Sequence, residues 1–144
     1  MNLKTIVSGY TPLSFNLGTL VLRVGFGILM IPSHGYAKLT HFQEYKTDFV
    51  DFMGLGMQVS LSLAIFAELF CSILLILGLG TRLVIIPLIF TVLVILSVSN
   101  WELFGEEEIA TAFLVGYLAI FLLGPGEYSL DALIRNKLRS RATK

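Results

Sequence analysis

The sequence predicts an all-α integral membrane protein, a bundle of four transmembrane helices. Of the 144 residues, 56% are hydrophobic and 14% are charged, whereas soluble domains carry about 25% charged residues. Four long apolar segments follow one another, at about residues 14–33, 57–78, 82–99 and 108–123. Each approaches the ~20 residues that a helix needs to cross ~30 Å of hydrocarbon. We therefore interpret residues 1–144 as a single transmembrane domain.

The first span and the connection after it have distinct patterns. The first span starts too late in the chain for a signal peptide, and no small-residue cleavage site follows it. We therefore predict that it is not a cleaved signal peptide. In the long connection 33–56, apolar residues recur at helical spacing opposite an acidic face: Phe42, Tyr45, Phe49, Phe52 and Met53. This pattern predicts a short amphipathic helix at the outer interface, ended by Gly54 and Gly56.

The remaining elements follow from turn and anchor residues. Residues 78–82 form a tight turn between the second and third spans, and Trp101 is a typical interfacial anchor before the fourth. Gly124-Pro125-Gly126 should stop the fourth span. Ser129 can then cap a short C-terminal helix, which continues into a basic tail over residues 129–144.

The distribution of lysine and arginine predicts the orientation. An even number of spans puts both termini on one side of the membrane. Seven basic residues lie on that side: Lys4, Arg82, Arg135, Lys137, Arg139, Arg141 and Lys144. Two lie on the other side, Lys38 and Lys46. The tenth, Arg23, lies inside a span. The positive-inside rule therefore predicts cytoplasmic termini. The sequence has no basic face for nucleic acid, and its expected partner is the lipid bilayer, with anionic lipid near the basic tail.

Two charged residues interrupt the apolar spans. Arg23 and Glu68 each lie near the middle of a span, where a charge costs at least a few kcal/mol. Counting ~1.5 Å per residue from the inner ends of the two spans puts them at the same depth. The sequence thus predicts an Arg23–Glu68 ion pair. Such a pair either fixes the register of the helices or belongs to a ligand site.

A stripe of polar residues leads from this predicted pair toward the outer side. On the first helix Arg23, Gly27, Met30 and His34 share one face, which Lys38 continues if the helix persists past Pro32. The fourth helix brings further polar residues from the outer end. We expect a polar pocket open to the outer side and lined by Arg23, His34, Lys38, Glu68, Glu107, Glu108 and Thr111. The alternative is a set of separate roles: a histidine bonded to backbone, a lysine reaching the headgroups and a solvated acidic loop.

The sequence contains no pattern for an intrinsic cofactor. His34, His41 and the acidic residues lack the spacing of metal ligands, so no metal site is predicted. Cys71 is the one cysteine of the chain, and a single cysteine forms no internal redox pair.

Three segments of the chain, taken in order, form a recognisable set of motifs. They are Leu22-Arg23-Val24-Gly25 with His34-Gly35-Tyr36-Ala37-Lys38-Leu39, then Ala67-Glu68-Leu69 with Leu77-Gly78-Leu79-Gly80-Thr81-Arg82, and finally Leu122-Leu123-Gly124-Pro125-Gly126-Glu127-Tyr128-Ser129-Leu130-Asp131. Together they resemble the DoxX family of small four-helix proteins of the bacterial inner membrane. The resemblance covers roughly residues 17–135. It implies a redox-associated membrane protein, and it maps the family motif onto Arg23, His34, Lys38, Glu68, Arg82 and Asp131. Pro32-Ser33 departs from the usual apolar approach to the motif.

Three classes of function remain open on the sequence alone. The first is a non-catalytic component of a redox-associated membrane assembly that binds a quinone or another small amphiphile, and this is the interpretation that we favour. The second is a structural or assembly subunit without a ligand, and the third is a carrier for a small molecule. The expected partners are other membrane or redox proteins, or further copies of the chain. Whether the protein catalyses a reaction is left open.

Overall fold

The computed structural model describes residues 11–142, apart from the side chain of Glu106, and all regular elements in that range are helical. Lys4 and Lys144, which contribute to the predicted charge asymmetry, lie outside the described residues. The helices are α1 Pro12–Thr40, α2 Phe42–Tyr45, α3 Met57–Leu77, α4 Thr81–Val98, α5 Glu108–Leu123 and α6 Leu130–Ala142, and a 3₁₀ turn at Gly105–Glu107 precedes α5.

Three helices, α1, α3 and α4, are long and apolar enough to cross a membrane. The apolar helix α5 is shorter, with 16 residues. Many large apolar side chains on these helices are exposed, among them Leu83, Ile86 and Phe90. Exposed apolar faces this extensive are typical of surfaces that meet lipid rather than water. The predicted all-α membrane class agrees with this architecture.

The first helix is longer than the predicted span 14–33. It begins where Thr11 caps it, because the Thr11 hydroxyl accepts a hydrogen bond from the Ser14 N–H at 3.1 Å and Pro12 occupies the first helical position. At Pro32 the helix widens into a π-helical turn, Ile31–Tyr36, and then continues to Thr40. A wider turn accommodates a residue that has no N–H to donate. The helix therefore spans 29 residues, or about 44 Å.

Close backbone contact fixes α1 against α3. The π-helical turn of α1 lies against a second one in α3, Phe66–Cys71. A Cβ atom at Gly35 would lie 2.7 Å from the Leu69 nitrogen, and one at Gly27 would lie 3.1 Å from the Ser72 carbonyl oxygen. Only glycine permits such an approach at these two positions. These two contacts define the register of the helix pair.

The apolar core lies mainly between α4 and α5. Ile85, Leu88 and Leu96 of α4 are fully buried with Tyr117 and Ile120 of α5. The ring of Phe26 from α1 lies directly over Gly116, where no larger residue would fit beside it. The core thus joins α1, α4 and α5.

The predicted amphipathic helix in residues 33–56 is reduced to one turn, α2, and residues 46–56 form turns instead. The Phe52 N–H donates to the Ser60 hydroxyl at 3.0 Å, and the Gly56 N–H donates to Asp51 at 2.8 Å. The Phe52 ring packs edge-on against Phe90 at 5.1 Å. The apolar residues therefore anchor a loop on α3 and α4, which is more favourable here than an isolated short helix.

The C-terminal helix α6 is held at the inner end of the bundle, the end formed by the α3–α4 turn and residues 124–126. The Ser129 hydroxyl accepts from the Ala132 N–H at 3.1 Å, as expected of the predicted N-cap. The Asp131 N–H donates to the Gly78 carbonyl at 3.0 Å. The helix is therefore attached through its first turn.

The charge asymmetry predicts a measurable topology. In intact cells, an Ala142→Cys variant should stay unlabelled by a membrane-impermeant thiol reagent, whereas Trp101→Cys should be labelled. The native Cys71 is 2% exposed within α3 and should add little background. Efficient labelling at position 142 would place the termini on the outer side.

Candidate functional site

Arg23 is fully buried at the inner end of the bundle. Its guanidinium donates to the carbonyl oxygens of Leu75 at 3.3 Å, Ile76 at 3.4 Å and Tyr128 at 2.6 Å. The first two carbonyls belong to the last turn of α3, where the Leu75 carbonyl also accepts from the Gly78 N–H at 3.1 Å. Arg23 thus caps α3 and ties it to the segment before α6.

The predicted Arg23–Glu68 ion pair is wrong, because each residue has other partners. The depth estimate took Ser14 as the inner end of the first span. In the structure, Gly27 lies against Ser72 and Gly35 lies against Glu68. This register puts Arg23 level with the end of α3, whereas Glu68 lies about two helical turns further out.

Asp131 completes the connections at the inner end. Its two carboxylate oxygens accept from the backbone N–H groups of Gly80 at 2.7 Å and Thr81 at 2.9 Å. The carboxylate therefore caps the start of α4 from a different helix, and it interacts electrostatically with Arg23. Arg82, the other motif residue at this end, is exposed and lies beside Gly124.

The partner of Glu68 is Lys38. The Lys38 ammonium lies 2.5 Å from one Glu68 carboxylate oxygen, with side-chain exposures of 15% and 1% respectively. It also lies 5.7 Å from the centre of the Phe49 ring, within the range of a cation–π interaction. The second carboxylate oxygen of Glu68 is buried and has no hydrogen-bond partner among residues 11–142.

Two further side chains surround this ion pair on its core side. His34 is half-buried, interacts electrostatically with Glu68 and Lys38, and contacts Phe113 edge-on at 5.8 Å. Tyr117 is fully buried and interacts electrostatically with Glu68, and its hydroxyl lies beside the Ser72 side chain. Tyr117 was not among the site residues predicted from the sequence, although a buried tyrosine in an apolar helix usually requires a partner for its hydroxyl.

On its other side Lys38 borders a groove between α3 and α4, roofed by residues 49–52, with a volume of about 540 Å³. Glu107 lies at the same outer end, where its carboxylate accepts from the Ser99 hydroxyl at 2.7 Å. Below this polar mouth the walls are apolar, with Leu63, Ala64, Ala67, Ile86, Phe90 and Val94 among them. We call this cavity the α3–α4 groove.

The residues of the predicted pocket are therefore divided among several places. Lys38 and Glu107 line the α3–α4 groove, and Glu68 and His34 adjoin Lys38 from the core. Arg23 belongs to the inner end. The Thr111 hydroxyl donates to the Leu103 carbonyl at 2.8 Å, and Glu108 is exposed. Arg23, Glu108 and Thr111 are therefore not among the residues that line the α3–α4 groove.

The chemistry of the α3–α4 groove suits an amphiphile. An ammonium and a carboxylate at the mouth can bind polar head atoms, and the apolar walls can bind a ring or an alkyl chain. Among residues 11–142 no group of three histidine, cysteine or acidic residues is placed to hold a metal ion.

A family model described as DoxX matches residues 18–101 of the chain. The matched range contains Arg23, His34, Lys38, Glu68 and Arg82. No curated protein and no solved structure matches the chain.

Proposed function

Because the chain belongs to the DoxX family, we propose that it is a four-span protein of the bacterial inner membrane whose role is to bind a small amphiphile in the α3–α4 groove. The fourth span would be α5. Its 16 residues extend about 24 Å, close to the thickness of the hydrocarbon core, and a short span is accommodated by local thinning of the bilayer.

The position of Lys38 carries the proposal. Lys38 lines the groove together with Glu107 and the apolar walls, and its ammonium is paired with Glu68. A ligand with an oxygen-bearing head and an apolar body would place the oxygen on the ammonium and the body between α3 and α4. A quinone has this chemistry, and its ring would lie near Phe49 and Phe90.

The proposed role is non-catalytic. One cysteine, Cys71, cannot form an internal redox pair. Electron transfer would depend on the bound quinone and on a partner, which the family resemblance suggests is another membrane or redox protein. A further copy of the chain is the other partner that we consider.

A matched pair of variants tests the groove. Val94 is half-buried and lines it, so Val94→Trp should fill the apolar part and weaken binding of decyl-ubiquinone by about tenfold or more, since a bulky side chain displaces the ligand. Val115 is 63% exposed on α5, outside the groove, and Val115→Trp should leave the affinity unchanged. Titration of the purified protein in detergent provides the measurement. Equal affinities for the two variants would reject the α3–α4 groove as the site.

A structural or assembly subunit is the second candidate. The contacts of Arg23, Asp131 and the Lys38–Glu68 pair all stabilise the bundle. In a structural subunit these residues would stabilise the fold and bind no ligand. Failure of the wild-type protein to bind decyl-ubiquinone, together with stoichiometric co-purification of another membrane protein, would favour this candidate. Transfer of the amphiphile between vesicles would instead favour the third candidate, a carrier.

A further inference from the structure

A second cavity lies at the inner end of the bundle, far from the α3–α4 groove. It is a cleft of about 570 Å³ between the start of α4, the end of α5 with residues 124–127, the first turn of α1 and the first turns of α6. Arg82 and Arg135 line it together with Glu127 and Asp131, and Leu83 and Leu123 form its apolar edges. We call it the inner cleft.

The charges around the inner cleft leave one arginine in excess. Arg135 pairs with Glu127 at 2.7 Å, and buried Arg23 balances Asp131. The Asp131 oxygens are also occupied by the N–H groups of Gly80 and Thr81. No hydrogen bond or ion pair engages the Arg82 guanidinium within the described chain. The inner cleft therefore carries a net positive charge at Arg82.

Further polar groups in the inner cleft remain available. The Asn16 side-chain oxygen accepts from the Glu127 N–H at 3.0 Å, which leaves the amide nitrogen to donate to another acceptor. The Thr81 hydroxyl is buried and lacks a partner among residues 11–142. Arginine and amide donors on one concave surface are typical of sites that bind phosphate oxygens.

The apolar edges of the inner cleft continue onto the surface that would face lipid. Leu83 is 72% exposed at the start of α4, and Leu122 and Leu123 are 76% and 41% exposed at the end of α5. A ligand bound at Arg82 would therefore reach the acyl-chain region of the bilayer beside these leucines. A free anion in water would make no favourable contact with these apolar side chains.

We infer that the inner cleft binds the phosphate of an anionic phospholipid. Arg82 holds the phosphate diester, Asn16 donates a further hydrogen bond, and the first acyl carbons lie along Leu83 and Leu123. A headgroup with one net negative charge neutralises the excess of one positive charge, which a zwitterionic headgroup does not. Basic pockets at the ends of transmembrane helices bind anionic headgroups in this way. The inference does not depend on a ligand in the α3–α4 groove.

Native mass spectrometry of the full-length protein tests this inference. The detergent-purified protein is incubated with equal amounts of phosphatidylglycerol and phosphatidylcholine that have the same acyl chains. The wild-type protein should retain phosphatidylglycerol in preference. Arg82→Gln should reduce that preference about tenfold, the effect of losing one charge-assisted contact. Lys137→Gln, at an exposed basic position of α6 outside the cleft, should leave it unchanged.

Three results would overturn the inference. They are equal retention of the two lipids by the wild-type protein, an unchanged preference in Arg82→Gln, and displacement of the lipid by millimolar inorganic phosphate, which would indicate a site for free anions. If Arg82→Gln does not fold, Arg82→Lys keeps the charge and should retain most of the preference. The comparison of lipids on the wild-type protein decides the question independently of any variant.

Discussion

Replacing Arg23 with leucine should destabilise the protein by about 2–5 kcal/mol, because a carbonyl that loses its donor costs ~1–3 kcal/mol where it is buried and less where it is partly exposed. Three carbonyl oxygens lose a donor: that of Leu75 is buried but keeps the Gly78 N–H, and those of Ile76 and Tyr128 are part-buried. We expect a large drop in the thermal unfolding temperature of the detergent-purified protein, and less folded protein in the membrane. Arg135→Leu is the matched control, since Arg135 is 43% exposed and forms a surface pair worth at most about 1 kcal/mol.

The same variant distinguishes the observed contacts from the Arg23–Glu68 pair predicted from the sequence. Arg23 and Glu68 share no partner, so the effects of Arg23→Leu and Glu68→Leu should be additive within about 0.5 kcal/mol. Rescue of one substitution by the other would restore the original pairing hypothesis. An Arg23→Leu protein as stable as Arg135→Leu would show that the guanidinium does not hold α3 and residue 128 together.

The second large effect is expected at Lys38. Lys38→Met leaves the Glu68 carboxylate, whose side chain is 1% exposed, without its cationic partner. Breaking a buried ion pair in this way typically costs about 3–5 kcal/mol. Lys46→Met is the control, because the Lys46 ammonium contacts an exposed glutamine, Gln43. Chemical or thermal unfolding of the two variants in the same detergent gives the comparison.

A double-mutant cycle separates the ion pair from the loss of lysine packing. Lys38→Met combined with Glu68→Met removes both charges and should regain most of the lost stability, since an apolar pair of similar volume is often as stable as a buried ion pair. The coupling energy should be at least about 1 kcal/mol. A coupling energy near zero would mean that the two residues act independently.

The sequence predicted the class of fold because hydropathy determines it directly. The bounds of α4 and α5 agree with the predicted spans 82–99 and 108–123 to within one residue. Ser129 was also identified correctly as a cap, since capping depends on residues close together in the chain. The C-terminal helix that it starts is α6.

The helix register was not predictable in the same way. The predicted first span ended at residue 33, whereas a π-helical turn carries α1 on to Thr40. The depth count assumed that the inner ends of the first two spans are level, but α1 extends past the inner end of α3, and this assumption paired Arg23 with Glu68. The signal was present in Gly27 and Gly35, but a glycine in a sequence does not reveal which backbone approaches it.

The composition of the candidate site was predictable only in part. Lys38, Glu68 and His34 were each identified as candidates because polar residues in apolar segments are rare. Their mutual arrangement depends on the register of α1 against α3, and the groove depends on how residues 49–52 fold back over α4. Neither depends on local sequence.

The contact between Arg23 and residue 128 also imposes an order on biosynthesis. Arg23 enters the membrane with the first helix, but the Tyr128 carbonyl that it requires lies 105 residues later in the chain. At ~5–20 residues per second, translation reaches that carbonyl roughly 5–20 s later. During this interval the Arg23 guanidinium can bind only the Leu75 and Ile76 carbonyls of α3. A chain that ends before residue 128 would therefore hold α1 and α3 together but lack the contact that closes the inner end of the bundle.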